Sequence, residues 1–368
     1  MNTVPIASVR LCEDEVEAVS SSLRSGHLVA GPAVARFEEE FARFTGARFA
    51  LAVSSGTAAL HIAYLATLRP GDEVLVPGFT HISTASMVHF AGGRPVLCDV
   101  DRRTFTISVE DAARKAGPRT AAIAPVHLFG NCCDVDGVMQ LARAHHLKVI
   151  WDAAQAHGTR WRGTDIGTLP DCVTYSFYPT KNMTTGEGGM IVTGDEELHQ
   201  RCRLLRGHGQ TAKYYHESLG LNYRMTEAGG ALGAEQLKKL GRFIEARRRN
   251  ANYLSERLAD LEGITVPWAP EAVEHSFHQY SVLLDLERFR CSRDEFVAAL
   301  RAEGVEAAVH YPRALNQQPA LARCKVPLPN CEWLTERIMS LPVHPALSSQ
   351  ELSRVAGAVS KVASAMRR

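Results

Sequence analysis

The alternation of apolar and amphipathic segments between residues 47 and 193 constrains the fold of this chain more than any other feature. Short, nearly continuous apolar runs are typical of strands that are buried on both faces, and here they are separated by stretches with helical spacing. The strand candidates are residues 47–54, 73–77, 95–100, 120–129, 147–151, 172–177 and 190–193. This order predicts an α/β fold with a mostly parallel central sheet that is flanked by helices.

The length of the chain favours two domains. Single hydrophobic cores stop growing at about 250–300 residues, and this chain has 368. A long helical stretch over residues 226–261, which we expect to break near Gly241, would connect the two parts. We therefore predict a large domain over residues 1–240 and a smaller C-terminal α+β domain over residues 241–368. The second domain would contain strands at 279–286 and 306–311 and helices at 292–303 and 349–366.

Charge and composition exclude several classes of function. The net charge is +1, from 41 basic and 40 acidic residues, so no field is expected that would recruit nucleic acid or a membrane surface. No apolar run reaches the roughly 18–20 residues that span a bilayer, and the N-terminus shows no secretory signal. Nine scattered cysteines without a CxxC pair do not indicate a disulfide framework. We expect a cytoplasmic protein without a metal site.

The sequence between the first strand candidate and the next helix is suited to bind an anion. Ligands of open α/β sheets bind beyond the carboxyl ends of the strands. Gly56 and Thr57 lie there, where glycine allows a close backbone approach and the helix start offers free N–H groups, with the Thr57 hydroxyl beside them. This pattern favours a phosphate site. A simple helix-capping turn is the alternative.

Two further strand ends carry an acid and an amine. Asp152 follows a buried strand, where a carboxylate is costly unless a cation such as a protonated pyridine nitrogen, or backbone N–H groups, compensates it. Lys181 follows another strand and precedes the glycine-rich residues 186–189. Desolvation there would lower its pKa and make it a nucleophile for a carbonyl. An ordinary surface lysine is the alternative.

A ring follows the strand candidate at residues 73–77. His81 could stack on a heteroaromatic ligand, or it could be a histidine that hydrogen-bonds to a backbone carbonyl. Together the four segments supply a phosphate cradle, an acid for a ring nitrogen, a stacking ring and an amine that can bond to an aldehyde. Those are the requirements of pyridoxal 5′-phosphate.

Several ordered motifs then suggest a family. Their residues are Ala30-Gly31-Pro32, Ser55-Gly56-Thr57-Ala58-Ala59-Leu60, Gly71-Asp72-Glu73-Val74, Asp152-Ala153-Ala154-Gln155, Ser176-Phe177 with Lys181 and Gly186-Glu187-Gly188-Gly189, Gly220-Leu221-Asn222-Tyr223-Arg224-Met225-Thr226, and His310-Tyr311-Pro312. With these motifs the sequence resembles the fold-type I sugar aminotransferases of the DegT/StrS family over nearly its whole length.

The resemblance implies a role for each matching residue. Lys181 would hold the cofactor through its amine and then move a proton between the substrate and the cofactor, and Asp152 would keep the pyridine nitrogen protonated. Gln155 would contact the ring hydroxyl. The residues that would hold the phosphate are Gly56, Thr57, Ser176 and, from the neighbouring subunit, Asn222. A homodimer with shared active sites is therefore implied. His81 replaces the Phe, Tyr or Trp that commonly stacks on the ring, which implies weaker stacking.

The resemblance also implies a reaction. An amino group would move from glutamate, or glutamine, to a keto-sugar, most typically a nucleotide-linked 4-keto-6-deoxyhexose. Substrate contacts are expected from Tyr178, His208, Tyr311 and Arg313. Residues 206–210 are most similar to those of enzymes that act on 4-keto-sugars.

Several alternatives stay open. The chain could be an aminotransferase for a cyclitol or a 3-keto-sugar, or a pyridoxamine-phosphate sugar dehydratase, although that branch carries a histidine where this chain has Lys181. A regulator that kept the fold would need a DNA-binding surface, and the sequence offers neither a basic helix-turn-helix nor a charge stripe. A nicotinamide dehydrogenase is disfavoured because no GxGxxG follows the first strand.

Overall fold

The computed structural model describes residues 3–368. Its helices are α1 (Glu13–Arg24), α2 (Pro32–Thr45), α3 (Gly56–Thr67), α4 (Ser83–Phe90), α5 (Val109–Lys115), α6 (Val135–His145), α7 (Glu196–Arg206), α8 (Glu227–Leu258), α9 (Arg293–Ala302), α10 (Pro329–Arg337) and α11 (Ser349–Met366). Short 3-10 turns lie at Leu128–Gly130, Ile166–Thr168, Leu315–Gln317 and Pro319–Cys324.

The strands form one large sheet and three small ones. They are β1 (Phe49–Val53), β2 (Glu73–Pro77), β3 (Arg94–Cys98), β4 (Thr120–Ile123), β5 (Lys148–Asp152), β6 (Arg160–Trp161), β7 (Thr164–Asp165), β8 (Cys172–Ser176), β9 (Gly189–Thr193), β10 (Gln210–Ala212), β11 (Tyr215–His216), β12 (Ile264–Thr265), β13 (Val273–Glu274), β14 (Tyr280–Leu284) and β15 (Ile338–Leu341). The smaller sheets pair β10 with β11, β13 with β6 and β7, and β12 with β14 and β15.

The central sheet has seven strands in the order β1-β9-β8-β5-β4-β2-β3. The pairs β2–β3, β2–β4, β4–β5 and β5–β8 are parallel, whereas β9 is antiparallel to both neighbours. A parallel connection needs a crossover, usually a helix. No helix lies between Ser176 at the end of β8 and Gly189 at the start of β9, so β9 pairs with β8 in the antiparallel direction. The predicted α/β fold with a mostly parallel sheet is confirmed.

Helices cover both faces of this sheet because its strands are apolar on both sides. On one face α3 and α4 pack against buried strand residues such as Leu51 and Val76. On the other face α2 places Phe37 5.2 Å from Phe177 and Phe41 5.1 Å from Tyr175, measured between ring centroids. The Pro32–Thr45 helix, which presents Phe37 and Phe41 with helical spacing, therefore anchors the end of β8 just before the segment with Lys181.

Helix α8 connects the hydrophobic core on one face of the central sheet to the core of the C-terminal part. Its first half contributes Leu240 and Ile244 to the core beside the central sheet, and its second half contributes Leu254 and Leu258 to the core around β14 and β15. The predicted break near Gly241 is wrong, because α8 runs without interruption from Glu227 to Leu258. Burial of side chains on both sides of Gly241 outweighs the cost of a helical glycine, ~1 kcal/mol. We keep the division after residue 240 as a proposal.

Two further strand predictions need correction. Strand β4 ends at Ile123, so the predicted strand 120–129 is too long. Pro125 has no N–H to continue the strand pairing, and the chain then forms the 3-10 turn at Leu128–Gly130. Residues 306–311 do not form a strand. Their backbone hydrogen bonds go to two different segments: the Glu306 N–H donates to the Val4 carbonyl, and Ala308 pairs with Ser340 in an isolated bridge. No continuous pairing with one neighbouring strand results.

The remaining C-terminal predictions are confirmed. Strand β14 lies within residues 279–286, and α9 and α11 occupy the predicted helical segments. Ser292 and Ser348 cap these two helices, each in a capping box with the glutamate three residues later. Across residues 3–368, no helix combines the length and apolar character that a membrane span requires.

Candidate active site

One cavity of about 460 Å³ lies at the carboxyl ends of β5 and β8 and beside the start of α3. It is the position at which ligands of open α/β sheets bind. Nine of the residues that the sequence predicts for the site line this cavity: Gly56, Thr57, His81, Asp152, Gln155, Ser176, Tyr178, Lys181 and Tyr311.

Three predicted residues lie elsewhere. His208 and Arg313 are exposed and do not line the cavity. Asn222 is also exposed, and its backbone pairs with Gly207 in an isolated bridge. The role expected of Asn222 is in the site of a neighbouring subunit, which a single chain does not test, so that role stays a prediction.

The start of α3 has the geometry of an anion cradle. Ser55 caps the helix by accepting a hydrogen bond from the Ala58 N–H at 3.0 Å, whereas the first-turn N–H groups of Gly56 and Thr57 have no acceptor within the helix. A Cβ on Gly56 would lie 2.6 Å from the Ser176 Cβ, so only glycine allows the helix start to approach β8 this closely. The Ser176 hydroxyl, the two N–H groups and the helix dipole can therefore converge on a phosphate.

Asp152 is a buried carboxylate at the end of β5. Its side chain is 4% exposed, and it accepts hydrogen bonds from the Thr84 hydroxyl at 2.9 Å and from the Ala154 N–H at 3.0 Å. Burial raises the pKa of Asp152, while Ala154, Thr84 and the Lys181 ammonium oppose that rise. A cationic N–H that entered the cavity would stabilise the ionised Asp152 carboxylate, because its charge and hydrogen bond would replace the water that the buried carboxylate has lost.

Lys181 lies in the turn that follows β8. Its backbone N–H donates to the Tyr178 carbonyl at 2.9 Å, which fixes the turn. Burial lowers the pKa of the Lys181 amine to about 8, although the Asp152 carboxylate acts in the opposite direction. A far larger fraction of this amine than of an ordinary lysine is therefore neutral and nucleophilic near physiological pH, as a residue that bonds to an aldehyde requires.

His81 stands at the rim of the cavity. Its Nδ1 lies 2.7 Å from the Ser83 hydroxyl, and its side chain is exposed on the other face. Desolvation, assisted by the Lys181 ammonium, lowers the pKa of His81, so its imidazole is neutral at pH 7. A neutral ring can stack on a protonated heterocycle without charge repulsion, and the stacking role stays a prediction.

Gln155 is held in place from two sides. Its Oε1 accepts from the Phe129 N–H at 3.0 Å, and its Nε2 donates to the Tyr311 hydroxyl at 2.6 Å. Tyr311 itself adopts a left-handed backbone conformation with φ of 60° and packs its ring edge against Phe79, 5.5 Å away between centroids. The pair thus connects the end of β5 to the C-terminal part of the chain across the cavity.

The structure adds site residues that the sequence interpretation missed. Thr84 donates a hydrogen bond to Asp152 directly, and its position in the first turn of α4 gave no chemical signal. His278, Gln279 and His310 also line the cavity, with the Gln279 Nε2 3.2 Å from the His310 Nε2. A run of polar residues just before the apolar strand β14 was the signal that could have identified two of them.

The residues present fit pyridoxal phosphate. The glycine-dependent cradle at α3 suits its phosphate, the buried Asp152 carboxylate suits its ring nitrogen, and the desolvated Lys181 amine suits its aldehyde. These three groups line one cavity. They lie far apart in the sequence, so it is the fold that brings them together.

Known proteins resemble this chain over nearly its whole length. Residues 10–360 match the DegT/DnrJ/EryC1/StrS aminotransferase family. The chain is 37% identical over 366 residues to a GDP-perosamine synthase of Caulobacter vibrioides, covering 98% of each chain. It is 36% identical over 361 residues to the UDP-N-acetyl-3-dehydro-alpha-D-glucosamine 3-aminotransferase of Acidithiobacillus ferrooxidans, covering 96% of each.

A solved structure agrees at the level of the whole fold. The structure of S. venezuelae DesV superposes with a TM-score of 0.94 at 35% identity, covering 99% of each chain. Because the family match spans nearly all residues and these relatives share the full length, the chain belongs to the DegT/DnrJ/EryC1/StrS aminotransferase family, a family of sugar aminotransferases.

Proposed function

We propose that this protein uses pyridoxal phosphate to move an amino group from glutamate, or glutamine, to a nucleotide-linked keto-sugar, with a 4-keto-6-deoxyhexose as the preferred acceptor. The observation that carries the proposal is one cavity in which the Lys181 amine, with a pKa of about 8, shares its walls with buried Asp152 and the open start of α3. The relatives named for amino-sugar chemistry support the acceptor class.

Each residue of the site has a task in this reaction. When bound, the cofactor supplies an aldehyde that can carry the amino group and a protonated ring that can take up electrons. Asp152 would hold the ring N–H, and the N–H groups of Gly56 and Thr57 with the Ser176 hydroxyl would hold the phosphate. Lys181 would retain the cofactor and then move a proton on the substrate carbon, which a pKa near neutrality allows in both directions.

The part of the cavity lined by Gln279, His310 and Tyr311 suits a sugar. Burial lowers the pKa of His310 to about 4, so its imidazole is neutral and can both donate and accept hydrogen bonds with hydroxyl groups. Gln279 and the Tyr311 hydroxyl add uncharged partners beside it. Tyr178, which is 48% exposed, lies at the open side where a larger substituent of the sugar could extend.

The direct test is a two-stage reaction. Purified holoenzyme is first treated with glutamate, and formation of 2-oxoglutarate and of the amine form of the cofactor is measured. A panel of nucleotide-linked keto-sugars is then added, and return of the lysine-bound absorbance identifies the acceptor. The proposal predicts that at least one 4-keto-6-deoxyhexose restores it. The acceptor class would be refuted if the enzyme consumes glutamate but none of the keto-sugars restores the lysine-bound absorbance.

Amination at C3 is the second candidate. One relative with 36% identity is named for a 3-dehydro sugar, and another with 37% is named as a perosamine synthase, so overall identity does not select between acceptors. A matched pair of 3-keto and 4-keto substrates on the same nucleotide separates the two. Our first proposal predicts the larger kcat/KM for the 4-keto compound.

We also propose a homodimer with shared active sites. Asn222 is exposed and lies outside the cavity of its own chain, as a residue that serves a neighbouring subunit would. The hydroxyl of the adjacent Tyr223 lies 3.1 Å from Nδ1 of His61. The segment with Asn222 therefore packs against α3, the helix that carries the phosphate cradle.

A further inference from the structure

A second cavity of about 380 Å³ adjoins the candidate active site. Thr180 and Lys181 line both cavities. The other walls of the second cavity come from the N-terminal segment around Arg10, from α8, and from Pro345 and Ala346. A ligand in this space would therefore contact the segment that carries the reactive amine, on the side formed by the N-terminal segment and α8.

This second cavity, which we call the basic cavity, is lined by five basic residues and no acidic one. They are Arg10, Lys181, Lys239, Arg242 and Arg247. Lys239 is neutralised by ion pairs with Asp14 and Glu15, each 2.7 Å long. Across residues 3–368, none of the three arginines has a carboxylate within 4.0 Å. The space therefore carries an uncompensated positive charge.

Arg247 is the most unusual of these groups. Its side chain is only 6% exposed, and its Nη1 donates to the backbone carbonyls of Phe277 and His278 at 3.2 Å. Its Nε finds no hydrogen-bond partner in the described part of the chain. Burial lowers the pKa of Arg247 to about 10, so the guanidinium is still charged at neutral pH. A buried cation without a counter-ion is unfavourable, and an anionic ligand would remove that penalty.

The active-site cavity itself lacks such groups. Its ionisable lining consists of Asp152, Glu187, Lys181, three histidines and two tyrosines, without any arginine. An amino acid donor carries carboxylates that need partners, and a guanidinium is the best-matched one because its fork pairs with both oxygens. The basic cavity, which shares Lys181 with the active-site cavity, supplies three arginines that could serve.

We infer that the basic cavity binds a carboxylate of the amino donor through Arg242 and Arg247 while the donor's amino group lies beside the Lys181 amine. This inference rests on the proposed aminotransferase function. The α-carboxylate of an amino acid lies on the carbon that bears the reacting nitrogen, so it must sit close to Lys181. The diphosphate of a nucleotide sugar is separated from the reacting keto carbon by the sugar ring, and it would lie farther away.

The test compares three arginine variants of the holoenzyme. Arg242→Gln removes an exposed cation that has no structural ion pair, and Arg247→Lys keeps a charge but removes the fork. Arg248→Lys is the matched control, because Arg248 is the next residue on α8 but pairs with Glu274 and does not line the basic cavity. For each variant we would measure KM for glutamate, KM for the keto-sugar and the calorimetric Kd of 2-oxoglutarate.

The inference predicts a selective loss. Arg242→Gln and Arg247→Lys should raise the Kd of 2-oxoglutarate and the KM for glutamate by about tenfold or more, the effect of losing a hydrogen bond to a charged group. The keto-sugar KM should not change, and Arg248→Lys should match the wild type. Arg242→Gln keeps the test valid if Arg247→Lys disturbs the turn at Phe277.

Other results overturn the inference. A rise in the keto-sugar KM alone would assign the cavity to the diphosphate of the acceptor, and an equal rise in both KM values would indicate a structural role. Unchanged 2-oxoglutarate binding in Arg242→Gln and Arg247→Lys would show that the cavity is not a carboxylate site. Because calorimetry needs no turnover, a wild-type enzyme that aminates no acceptor would sink the proposed function, while arginine-dependent binding of 2-oxoglutarate would still support the site.

Discussion

At the scale of single residues, the chemistry of this site depends on how burial changes two ionisable groups. Lys181 and Asp152 lie in the same cavity, and burial disfavours the charged form of each. Their mutual attraction opposes that effect, since a carboxylate raises the pKa of a nearby amine and an ammonium lowers the pKa of a nearby acid. The balance leaves an amine that titrates near pH 8 beside an acid that can still ionise.

Replacing Lys181 should abolish turnover. Lys181→Ala removes the amine that retains the cofactor and transfers the proton, so we expect kcat to fall by several powers of ten and the lysine-bound absorbance to disappear. Lys148→Ala is the control, because Lys148 is an exposed lysine paired with Asp171 at the opposite end of β5. Normal turnover in Lys181→Ala, or an equal loss in Lys148→Ala, would contradict the assignment.

Replacing Asp152 should change both the rate and the titration of its neighbour. Asp152→Asn cannot hold a ring N–H as an anion, so kcat should fall by several powers of ten while the cofactor still binds. A fall of less than about tenfold, ~1.4 kcal/mol of barrier, would contradict the role. Because the Asp152 charge raises the pKa of Lys181, its loss should lower that pKa below about 8.

The titration can be measured without catalysis. The rate at which cofactor-free protein captures pyridoxal phosphate should rise with pH as the Lys181 amine loses its proton, with a midpoint near pH 8 in the wild type. The midpoint should move to lower pH in Asp152→Asn. A wild-type midpoint near that of an ordinary lysine, about 10.4, would mean that the amine is not desolvated.

At the scale of helices and strands, the site depends on how closely α3 approaches β8. Gly56→Ala would place a Cβ 2.6 Å from the Ser176 Cβ, and backbone atoms of β8 lie only slightly farther away. The helix start must then move away from Ser176, which separates two of the groups that would hold the phosphate. We expect cofactor affinity to fall by about tenfold or more, as for the loss of one charge-assisted hydrogen bond, measured by equilibrium dialysis.

The matched control for that substitution is Gly241→Ala in α8. A Cβ there would meet no atom within 4 Å, and the residue is exposed in the middle of a continuous helix. Alanine favours the helix over glycine by about 1 kcal/mol, so the free energy of unfolding should rise by that amount with unchanged cofactor affinity. A decrease in urea-unfolding stability would show that α8 needs a glycine at this position.

The elements that sequence predicted best are those with complete local signals. The helical spacing of Val34, Phe37, Phe41 and Phe44 predicts a helix over residues 32–45. Helix α2 has these bounds, with a proline at its first position and a left-handed glycine after its last. The wrong predictions arise where partners distant in sequence decide the outcome. The backbone hydrogen bonds of residues 306–311 go to Val4 and Ser340, and no local pattern shows that these two partners lie on different segments.

At the scale of the whole molecule, the site residues that the sequence predicted are those with local signals, and the residues that it missed are positioned by partners distant in the sequence. Asp152, Ser176 and Lys181 follow strands of one mostly parallel sheet, so the rule that ligands bind at strand ends is sufficient to predict that they lie together. His278 and His310 approach from the second core, and their position depends on how α8 sets that core against the central sheet. Packing between cores has no periodic signal in the sequence.

The homodimer prediction also belongs to this scale, and it can be tested by mixing subunits. If Asn222 serves the neighbouring site, a dimer of one Lys181→Ala subunit and one Asn222→Ala subunit contains one site with both residues intact. If Asn222 serves its own chain, each site of the mixed dimer carries a defect. Lys181→Ala should be inactive alone, and Asn222→Ala should lose activity when the cofactor is limiting, because the phosphate is held less firmly.

Random exchange of equal amounts makes half of the dimers hybrid, each with one intact site of two, so we expect about a quarter of the wild-type activity to return in a symmetric dimer. Subunit exchange would be confirmed separately with differently tagged chains. Mixing Lys181→Ala with Asp152→Ala is the control: both residues line one cavity of one chain, so every hybrid site carries a defect and no activity should return. No recovery in the test mixture despite confirmed exchange would show that Asn222 does not complete the partner's site. Recovery in the control would contradict the assignment of Lys181 and Asp152 to the same site of one chain.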